Sequence, residues 1–244
     1  MIKAISFDAD QTLWDFRGVM ERALARTAAD ISERYPHVEI TSTELQEIRD
    51  ELVVGYRGKP HSLEEIRCES FQVALERNGI PPAEAEAVSS TLTERYLQIR
   101  FEEIELYDDV RSVLDELGSR YLLALISNGN TDPDRCGLAG VFDMVLLGPD
   151  HGIEKPNPRM FELAAEQLGV GPTELLHVGD GADDVVGANG VGAVSVLVDR
   201  GEREIDADLR EVAGFVIKTF GELPAVLGSV GRGTSQGGST LNHS

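Results

Sequence analysis

The chain has 244 residues, of which 41% are apolar, so it can bury the core of one large domain or of a domain that carries an insertion. Its formal charge of −21 repels a polyanion, and we therefore expect no nucleic-acid partner. No apolar run approaches the roughly 20 residues that span a bilayer, so no membrane partner is expected either. The two cysteines, Cys68 and Cys136, lack metal-ligand spacing and are typical of a cytoplasmic protein.

The predicted elements begin with one strand, continue with helices, and then alternate. Residues 3–8 form an apolar run that predicts a buried strand. Helical spacing over residues 16–100, broken at turns that contain Gly or Pro, predicts about four helices. Further strands are predicted at 121–127, 144–147, 175–178, 194–198 and 215–217, and helices at 109–117, 159–168 and 184–189.

This order predicts an α/β fold with a doubly wound parallel sheet and an inserted helical domain. We assign residues 1–15 and 105–227 to the sheet domain and residues 16–104 to the insertion. Residues 228–244 are rich in Gly, Ser and Thr and contain no acidic residue, so they are predicted to form a flexible tail.

Two carboxylates, Asp8 and Asp10, follow the first predicted strand. Carboxylates this close repel each other unless a cation or a shared proton relieves the repulsion. Alternate residues of an extended chain point in opposite directions, so one of the two can face a substrate while the other lies beside it. This arrangement suits one nucleophile and one general acid or base, although a helix N-cap next to a surface acid would explain the same pair.

Three later strand or loop ends carry complementary groups. Ser127 and Asn128 follow a strand and can donate hydrogen bonds to phosphate oxygens, although Asn-Gly also forms ordinary turns. Lys155 lies on a loop stiffened by prolines. Asp180 and Asp184 follow the strand that contains His177 and offer the hard oxygen ligands that Mg²⁺ prefers. The carboxyl ends of parallel strands meet at one edge of a sheet, so these groups are expected to converge.

In order and spacing, these four segments resemble the four motifs of the haloacid dehalogenase superfamily of aspartate-nucleophile hydrolases. The resemblance implies that Asp8 is the nucleophile that attacks phosphorus and that Asp10 protonates the leaving alcohol and then activates water. It implies that Thr12 supports this loop, that Ser127 and Asn128 hold the phosphate, and that Lys155 neutralises its charge.

The resemblance also implies a Mg²⁺ cofactor. Asp8, Asp180 and the backbone carbonyl of Asp10 would hold the ion, with Asp184 as a direct or indirect acidic partner. Gln11 departs from the family pattern, which has glycine, aspartate or asparagine at this position. Its larger side chain must therefore be accommodated in the loop.

The helical insertion resembles the mobile cap of the phosphatase, nucleotidase, mutase and dehalogenase branches. Within it, Arg57, Lys59 and His61 surround a Gly-Pro break between two helices and are predicted to contact the remote end of the substrate; an exposed turn is the competing interpretation. Trp14 is expected to pack at the hinge without a binding role, and His177 to be satisfied within the sheet.

The sequence therefore predicts a magnesium-dependent phosphatase that acts on a small-molecule phosphate ester. Phosphoglycolate, a sugar phosphate and a nucleoside monophosphate are the candidate substrates. A dehalogenase is disfavoured because that branch usually lacks the acid at the Asp10 position, whereas a phosphomutase would keep all of these residues. A non-catalytic binding module would have been expected to lose Asp8 or Asp10. The sequence leaves a monomer and a homodimer equally open.

Overall fold

A computed structural model describes residues 1–233 of the chain. In this part of the chain, six parallel strands form one sheet in the order β3-β2-β1-β4-β5-β6. Their bounds are β1 Ala4–Phe7, β2 Leu122–Ser127, β3 Met144–Leu147, β4 Leu175–Gly179, β5 Val194–Val198 and β6 Phe215–Ile217. The strand order reverses between β1 and β4, and clefts for ligands form at such switch points. The predicted doubly wound α/β fold is confirmed.

The cap is formed by four helices that follow β1. They are α1 Phe16–Arg34, α2 Ser42–Val54, α3 Leu63–Arg77 and α4 Pro82–Glu103. Asp15, Thr41 and Ser62 each accept a backbone hydrogen bond at a helix start, while α4 begins with a proline. The four helices bury their own hydrophobic cluster, which includes Phe71. The cap therefore has a core separate from those of the sheet.

The remaining helices cover both faces of the sheet. They are α5 Val110–Gly118, α6 Gly148–His151, α7 Pro158–Leu168, α8 Ala182–Gly190, α9 Ala207–Val212 and α10 Leu223–Gly233. Ile5 and Phe7 pack on one face with residues of α5 and α10, whereas Ala4 packs on the other face with residues of α7. Side chains alternate along a strand, so β1 is buried from both sides, as a central parallel strand must be.

The two chain segments that join the cap to the sheet lie side by side. Trp14 and Leu106 form an isolated antiparallel bridge, and the Tyr107 amide donates a hydrogen bond of 3.0 Å to the Leu13 carbonyl. The entry and exit of the cap therefore meet at one paired point.

The C-terminal end differs from the sequence prediction, which placed a flexible tail from Gly228 onwards. Helix α10 continues to Gly233, because Val226 and Leu227 are buried against the sheet and Val230 packs beside them. Residues 234–244 of the predicted tail lie outside the described residues. Within residues 1–233, no helix combines the length and the apolar character that crossing a membrane requires.

Candidate active site

The carboxyl ends of β1, β2 and β4 bring the predicted site residues together. The amide of Asp8 donates a hydrogen bond of 2.8 Å to the Val178 carbonyl, so Asp8, the predicted nucleophile, directly follows the paired part of β1 and β4. A cavity of about 320 Å³ opens at this edge of the sheet. Its wall includes Asp8, Asp10, Ser127, Asn128, Lys155, Asp180 and Asp184.

Lys155 lies at the centre of the buried charges. Its Nζ contacts Asp8 and lies 2.7 Å from Asp184 Oδ1, and only 4% of the residue is exposed. Burial alone would lower the pKa of Lys155, but the two carboxylates outweigh it and hold that pKa above its usual value. The lysine is therefore a fixed positive charge next to Asp8.

Asp184 has partners for both of its carboxylate oxygens. Oδ1 accepts from Lys155 and lies 3.0 Å from His177 Nε2, while Oδ2 accepts from the Gly181 amide at 2.9 Å. Burial would raise the pKa of Asp184, but Lys155 and His177 hold it well below its usual range. The carboxylate at the start of α8 thus caps the helix and orients the lysine.

A group of three carboxylates could hold a cation. Oxygens of Asp8, Asp180 and Asp184 lie within 4.8 Å of one another. Burial raises the pKa of Asp8, with Asp184 and Asp180 adding to the rise and Lys155 opposing it. Burial and Asp184 likewise raise the pKa of Asp180 to about 6, although Arg203 pairs with Asp180 at 2.7 Å. The site therefore carries an excess of negative charge, and a hard divalent cation with oxygen ligands fits it.

Asp10 is held by side chains from two different segments. Trp14 Nε1 donates to Asp10 Oδ1 at 2.8 Å, and Thr131 Oγ1 lies 3.4 Å from the same oxygen. Burial raises the pKa of Asp10, and the hydrogen bond from Trp14 and the charge of Arg100 oppose the rise. A carboxyl group with a raised pKa retains its proton more readily, as a general acid must.

Gly129 allows this close arrangement. A Cβ at this position would lie 2.7 Å from Asp10 Oδ2, which is too close for an unstrained contact. Glycine at this strand end therefore makes room for the acid.

Thr12, Ser127 and Asn128 occupy the same edge. Thr12 Oγ1 lies 3.1 Å from Asp8 Oδ2 and 3.3 Å from Asp180 Oδ1, as expected of a residue that supports the loop. Ser127 Oγ accepts from the Gly129 amide. The side-chain amide of Asn128 donates to the Lys155 carbonyl at 2.9 Å and accepts from the Lys155 amide at 2.7 Å. Asn128 therefore fixes the lysine loop, whereas the sequence had assigned its side chain to phosphate.

Gln11 adopts a left-handed backbone conformation, with φ of 64°. Its side chain is accommodated at the start of the cap, where Oε1 accepts from the Arg17 amide at 2.7 Å. The loop therefore takes a shape that glycine or asparagine adopts more easily, at a cost of about 1 kcal/mol for this residue.

The loop with Arg57, Lys59 and His61 lies against the core instead of over the substrate cavity. The His61 amide donates to the Pro149 carbonyl at 2.9 Å, and the backbone of Lys59 lies close to Gly152. A second cavity, of about 280 Å³, adjoins the first at Asp10, Asn128 and Gly129. Its cationic wall consists of Arg49, Arg67 and Arg100. The predicted contact of residues 57–61 with substrate thus has no support, because backbone contacts fasten the loop to the core.

Sequence reasoning missed three contributors to the site. His177 was expected to be satisfied internally, and its ring does bond Ser6 Oγ at 2.8 Å, but its other nitrogen contacts Asp184. Trp14 was expected only to pack, yet it bonds Asp10. Arg203 follows β5, with no motif to indicate that it would reach Asp180. The sequence contained a signal for the first two of these contacts: His177 is a polar residue in a strand predicted to be buried, and Trp14 has an indole close to acidic residues.

Comparisons with known proteins agree with this geometry. Residues 2–192 match the haloacid dehalogenase-like hydrolases, and the chain belongs to that family. It is a phosphoric monoester hydrolase, as are the two curated relatives described next.

Two curated relatives and one solved structure illustrate the similarity. The chain is 31% identical over 187 residues to 5-amino-6-(5-phospho-D-ribitylamino)uracil phosphatase YigB of Escherichia coli, covering 76% of this chain and 78% of that protein. It is 32% identical over 209 residues to glyceraldehyde 3-phosphate phosphatase of Methanopyrus kandleri, covering 83% and 86%. A 2-haloacid dehalogenase structure from Pseudomonas syringae superposes with a TM-score of 0.80 at 30% identity, covering 94% of this chain and 100% of that one.

Proposed function

We propose that this protein hydrolyses small-molecule phosphate monoesters with the help of Mg²⁺, through a phospho-aspartate formed on Asp8. The observation that carries the proposal is the buried contact of Lys155 with Asp8 and Asp184, with Asp10 held separately beside it. The lysine favours the charged form of the nucleophile against the effect of burial, and it offsets the charge of an incoming phosphate.

In the first step an Asp8 oxygen attacks phosphorus, a P–O bond to Asp8 forms and the P–O bond to the leaving alcohol breaks. Asp10 transfers its proton to the leaving oxygen. In the second step water attacks the phospho-aspartate, Asp10 takes a proton from that water, and the bond between Asp8 and phosphorus breaks to release inorganic phosphate. Ser127, on the wall of the same cavity, would donate a hydrogen bond from its hydroxyl to a phosphoryl oxygen.

The metal site would be formed by Asp8, Asp180 and the Asp10 carbonyl, with Asp184 bonded mainly to Lys155 and His177. When bound, Mg²⁺ would offset the repulsion between the phosphate and the carboxylates. The excess of buried negative charge around Asp180 supports this assignment.

Asp10 favours phosphatase over dehalogenase chemistry. A dehalogenase releases halide, which needs no proton, whereas an alcohol leaves more readily when it is protonated. The structure with a TM-score of 0.80 is a 2-haloacid dehalogenase, and this similarity of fold leaves the choice of reaction to the site residues. A phosphomutase would keep the same core residues, and the named relatives support hydrolysis instead.

Phosphoglycolate, sugar phosphates and nucleoside monophosphates remain our candidate substrates. We place the protein in the cytoplasm, where its two free cysteines would stay reduced. The test is phosphate release from a panel of these esters, with Mg²⁺ and with a chelator. The wild-type protein is compared with Asp8→Asn.

We expect Mg²⁺-dependent release that falls at least about 10⁴-fold in Asp8→Asn, because the variant lacks the nucleophile. Equal activity of the variant and the wild type would rule out Asp8 as the nucleophile. Undiminished release in chelator would rule out the metal.

A further inference from the structure

Two buried arginines on the wall of the cavity between the cap and the sheet form no ion pair among the described residues. All four cap helices contribute to its wall, with Phe16 and Met20 from α1, Gln46 and Arg49 from α2, Leu63, Glu64 and Arg67 from α3, and Tyr96, Leu97 and Arg100 from α4. Arg67 is 5% exposed and Arg100 is 4% exposed. Arginine is almost never this buried unless it is paired.

The contacts of Arg67 are with neutral groups. Its guanidinium donates to the Leu45 carbonyl at 3.2 Å and to Gln46 Oε1 at 2.7 Å, and it lies 5.2 Å from the Tyr96 ring centroid. Burial lowers the pKa of Arg67, as expected for a charge that lacks a close counter-ion. These contacts fix the guanidinium in place without neutralising it.

Arg100 is held in the same way. One nitrogen, Nη2, donates to Asn130 Oδ1 at 3.2 Å and to Thr131 Oγ1 at 3.0 Å, and the guanidinium lies 5.0 Å from the ring of Phe16. Its Nε is buried and has no hydrogen-bond partner among the described residues. The hydrogen bonds that Arg100 makes within the described residues therefore leave part of its guanidinium group unsatisfied at the cavity wall.

The ion pairs of the cap use other arginines. In the described part of the chain, those pairs involve Arg22, Arg26, Arg49 and Arg77, so neither Arg67 nor Arg100 has a carboxylate in ion-pair contact. Two fixed guanidinium groups are left for a group from outside the protein.

We propose that this cavity binds a carboxylate at the far end of the substrate, so that the preferred substrates are phosphate monoesters of small hydroxy acids. This inference rests on the proposed phosphatase function. The second cavity adjoins the catalytic one at Asp10, and one small molecule can therefore place its phosphate at Asp8 and its carboxylate at the arginines. Guanidinium groups match the planar geometry of a carboxylate.

The acidic groups on the same wall favour a carboxylate over a second phosphate. Glu64 and Asp10 also line the cavity and would repel a dianion more strongly than a single carboxylate. The volume of about 280 Å³ suits a short acid rather than a nucleotide base with its sugar.

The test compares matched esters that differ only at the far end. 2-Phosphoglycolate is paired with 2-hydroxyethyl phosphate, and 3-phosphoglycerate with glycerol 3-phosphate, and kcat/KM is measured for each. We expect the wild-type protein to prefer the carboxylate ester of each pair by about 10- to 100-fold, the range for a charge-assisted hydrogen bond.

Arg67→Gln should reduce this preference to within about threefold, whereas Arg67→Lys, which keeps the charge, should retain part of it. Arg100→Gln, at the other arginine without an ion pair, provides a second test if Arg67→Gln fails to fold. Arg77→Gln is the matched control, because Arg77 lies exposed on the same helix and pairs with Glu51 away from the cavity. The control should keep the wild-type preference.

The two proposals fail in different ways. Release of phosphate from both members of each pair at equal rates, or an unchanged preference in both Arg67→Gln and Arg100→Gln, would overturn the carboxylate site and leave the phosphatase function standing. Stronger preference for a bisphosphate than for the phosphorylated acids would also overturn it. No release from any ester would overturn both.

Discussion

The catalytic edge of the sheet and the cap cavity use buried charge in opposite ways. At the edge, Lys155 contacts both Asp8 and Asp184, and Arg203 pairs with Asp180, so each of these cations has a carboxylate partner within the protein. In the cavity, Arg67 and Arg100 contact carbonyl, amide and hydroxyl groups and aromatic rings. The catalytic groups act on the phosphate that all substrates share, so the protein can hold their charges in place before a substrate binds. The arginines of the cavity recognise one class of substrate, and their charges are left for the ligand to neutralise.

The strongest test of this contrast is the removal of one cation from each region. Lys155→Met leaves Asp8 and Asp184 buried without their counter-charge and should lower the free energy of unfolding by about 3–5 kcal/mol. Arg100→Met removes no ion-pair partner from a buried carboxylate, so it should lower the free energy of unfolding by less than about 1.5 kcal/mol. Urea denaturation measures both.

Lys3→Met is the control for a lysine with an exposed ion pair, here to Glu174, and should change stability by less than about 1 kcal/mol. Equal losses for Lys155→Met and Arg100→Met would show that the two regions do not differ in the way described.

The proposed Mg²⁺ site at the three carboxylates can be tested through protein stability, independently of catalysis. If Mg²⁺ binds at Asp180, saturating the wild-type protein to about 100 times Kd should raise its free energy of unfolding by about 2.7 kcal/mol. Asp180→Asn should lose this gain. It should unfold no more easily than wild type in chelator, because one of three crowded carboxylates is gone.

Thermal melts with and without Mg²⁺ provide the measurement. Asp183→Asn, at an exposed neighbour on α8, should keep the gain. A full Mg²⁺ effect in Asp180→Asn would place the ion elsewhere.

A substitution of His177 tests how far the catalytic charges depend on the side chain that supports Asp184. His177→Leu keeps the bulk of the side chain but removes a partner from Ser6 and from Asp184, and it should cost about 1–3 kcal/mol in urea denaturation. We also expect kcat to fall by about 10-fold while KM changes little, because Asp184 orients Lys155. The exposed His37→Leu serves as the control, and a loss of stability without any loss of kcat would limit His177 to a structural role.

The smallest effect is expected at Gln11. Gln11→Gly should relieve the positive φ and change the free energy of unfolding by less than about 1 kcal/mol, since the hydrogen bond to the Arg17 amide is lost at an exposed position. Gln11→Ala loses the same bond but keeps the strained φ, so it should melt below Gln11→Gly. The opposite order would show that the side chain, not the backbone, sets the stability of this loop.

Much of the sheet could be predicted because its strands are short apolar runs that end in polar residues. The predicted strands at 144–147, 194–198 and 215–217 coincide with β3, β5 and β6. The convergence of Asp8, Ser127 and Asp180 followed from the rule that parallel strands end at one edge. Local periodicity was sufficient for these features.

The cap cavity could not be predicted in this way. Its arginines come from three helices, and whether α2, α3 and α4 turn a given residue inwards depends on how the helices pack together. Arg57, Lys59 and His61 were predicted to contact substrate because they cluster around a Gly-Pro break, and the structure places this loop beside Pro149. Which cap residues face the cavity depends on tertiary packing, which proximity in sequence does not determine.

The paired crossing of the chain at Trp14 and Leu106 has a mechanical consequence. Both connections to the cap pass through this point, so any displacement of the four helices relative to the sheet would act on it. The indole of Trp14 belongs to this junction and also donates a hydrogen bond to Asp10 Oδ1. A displacement of the cap would therefore reach the carboxyl group of Asp10 through a single side chain.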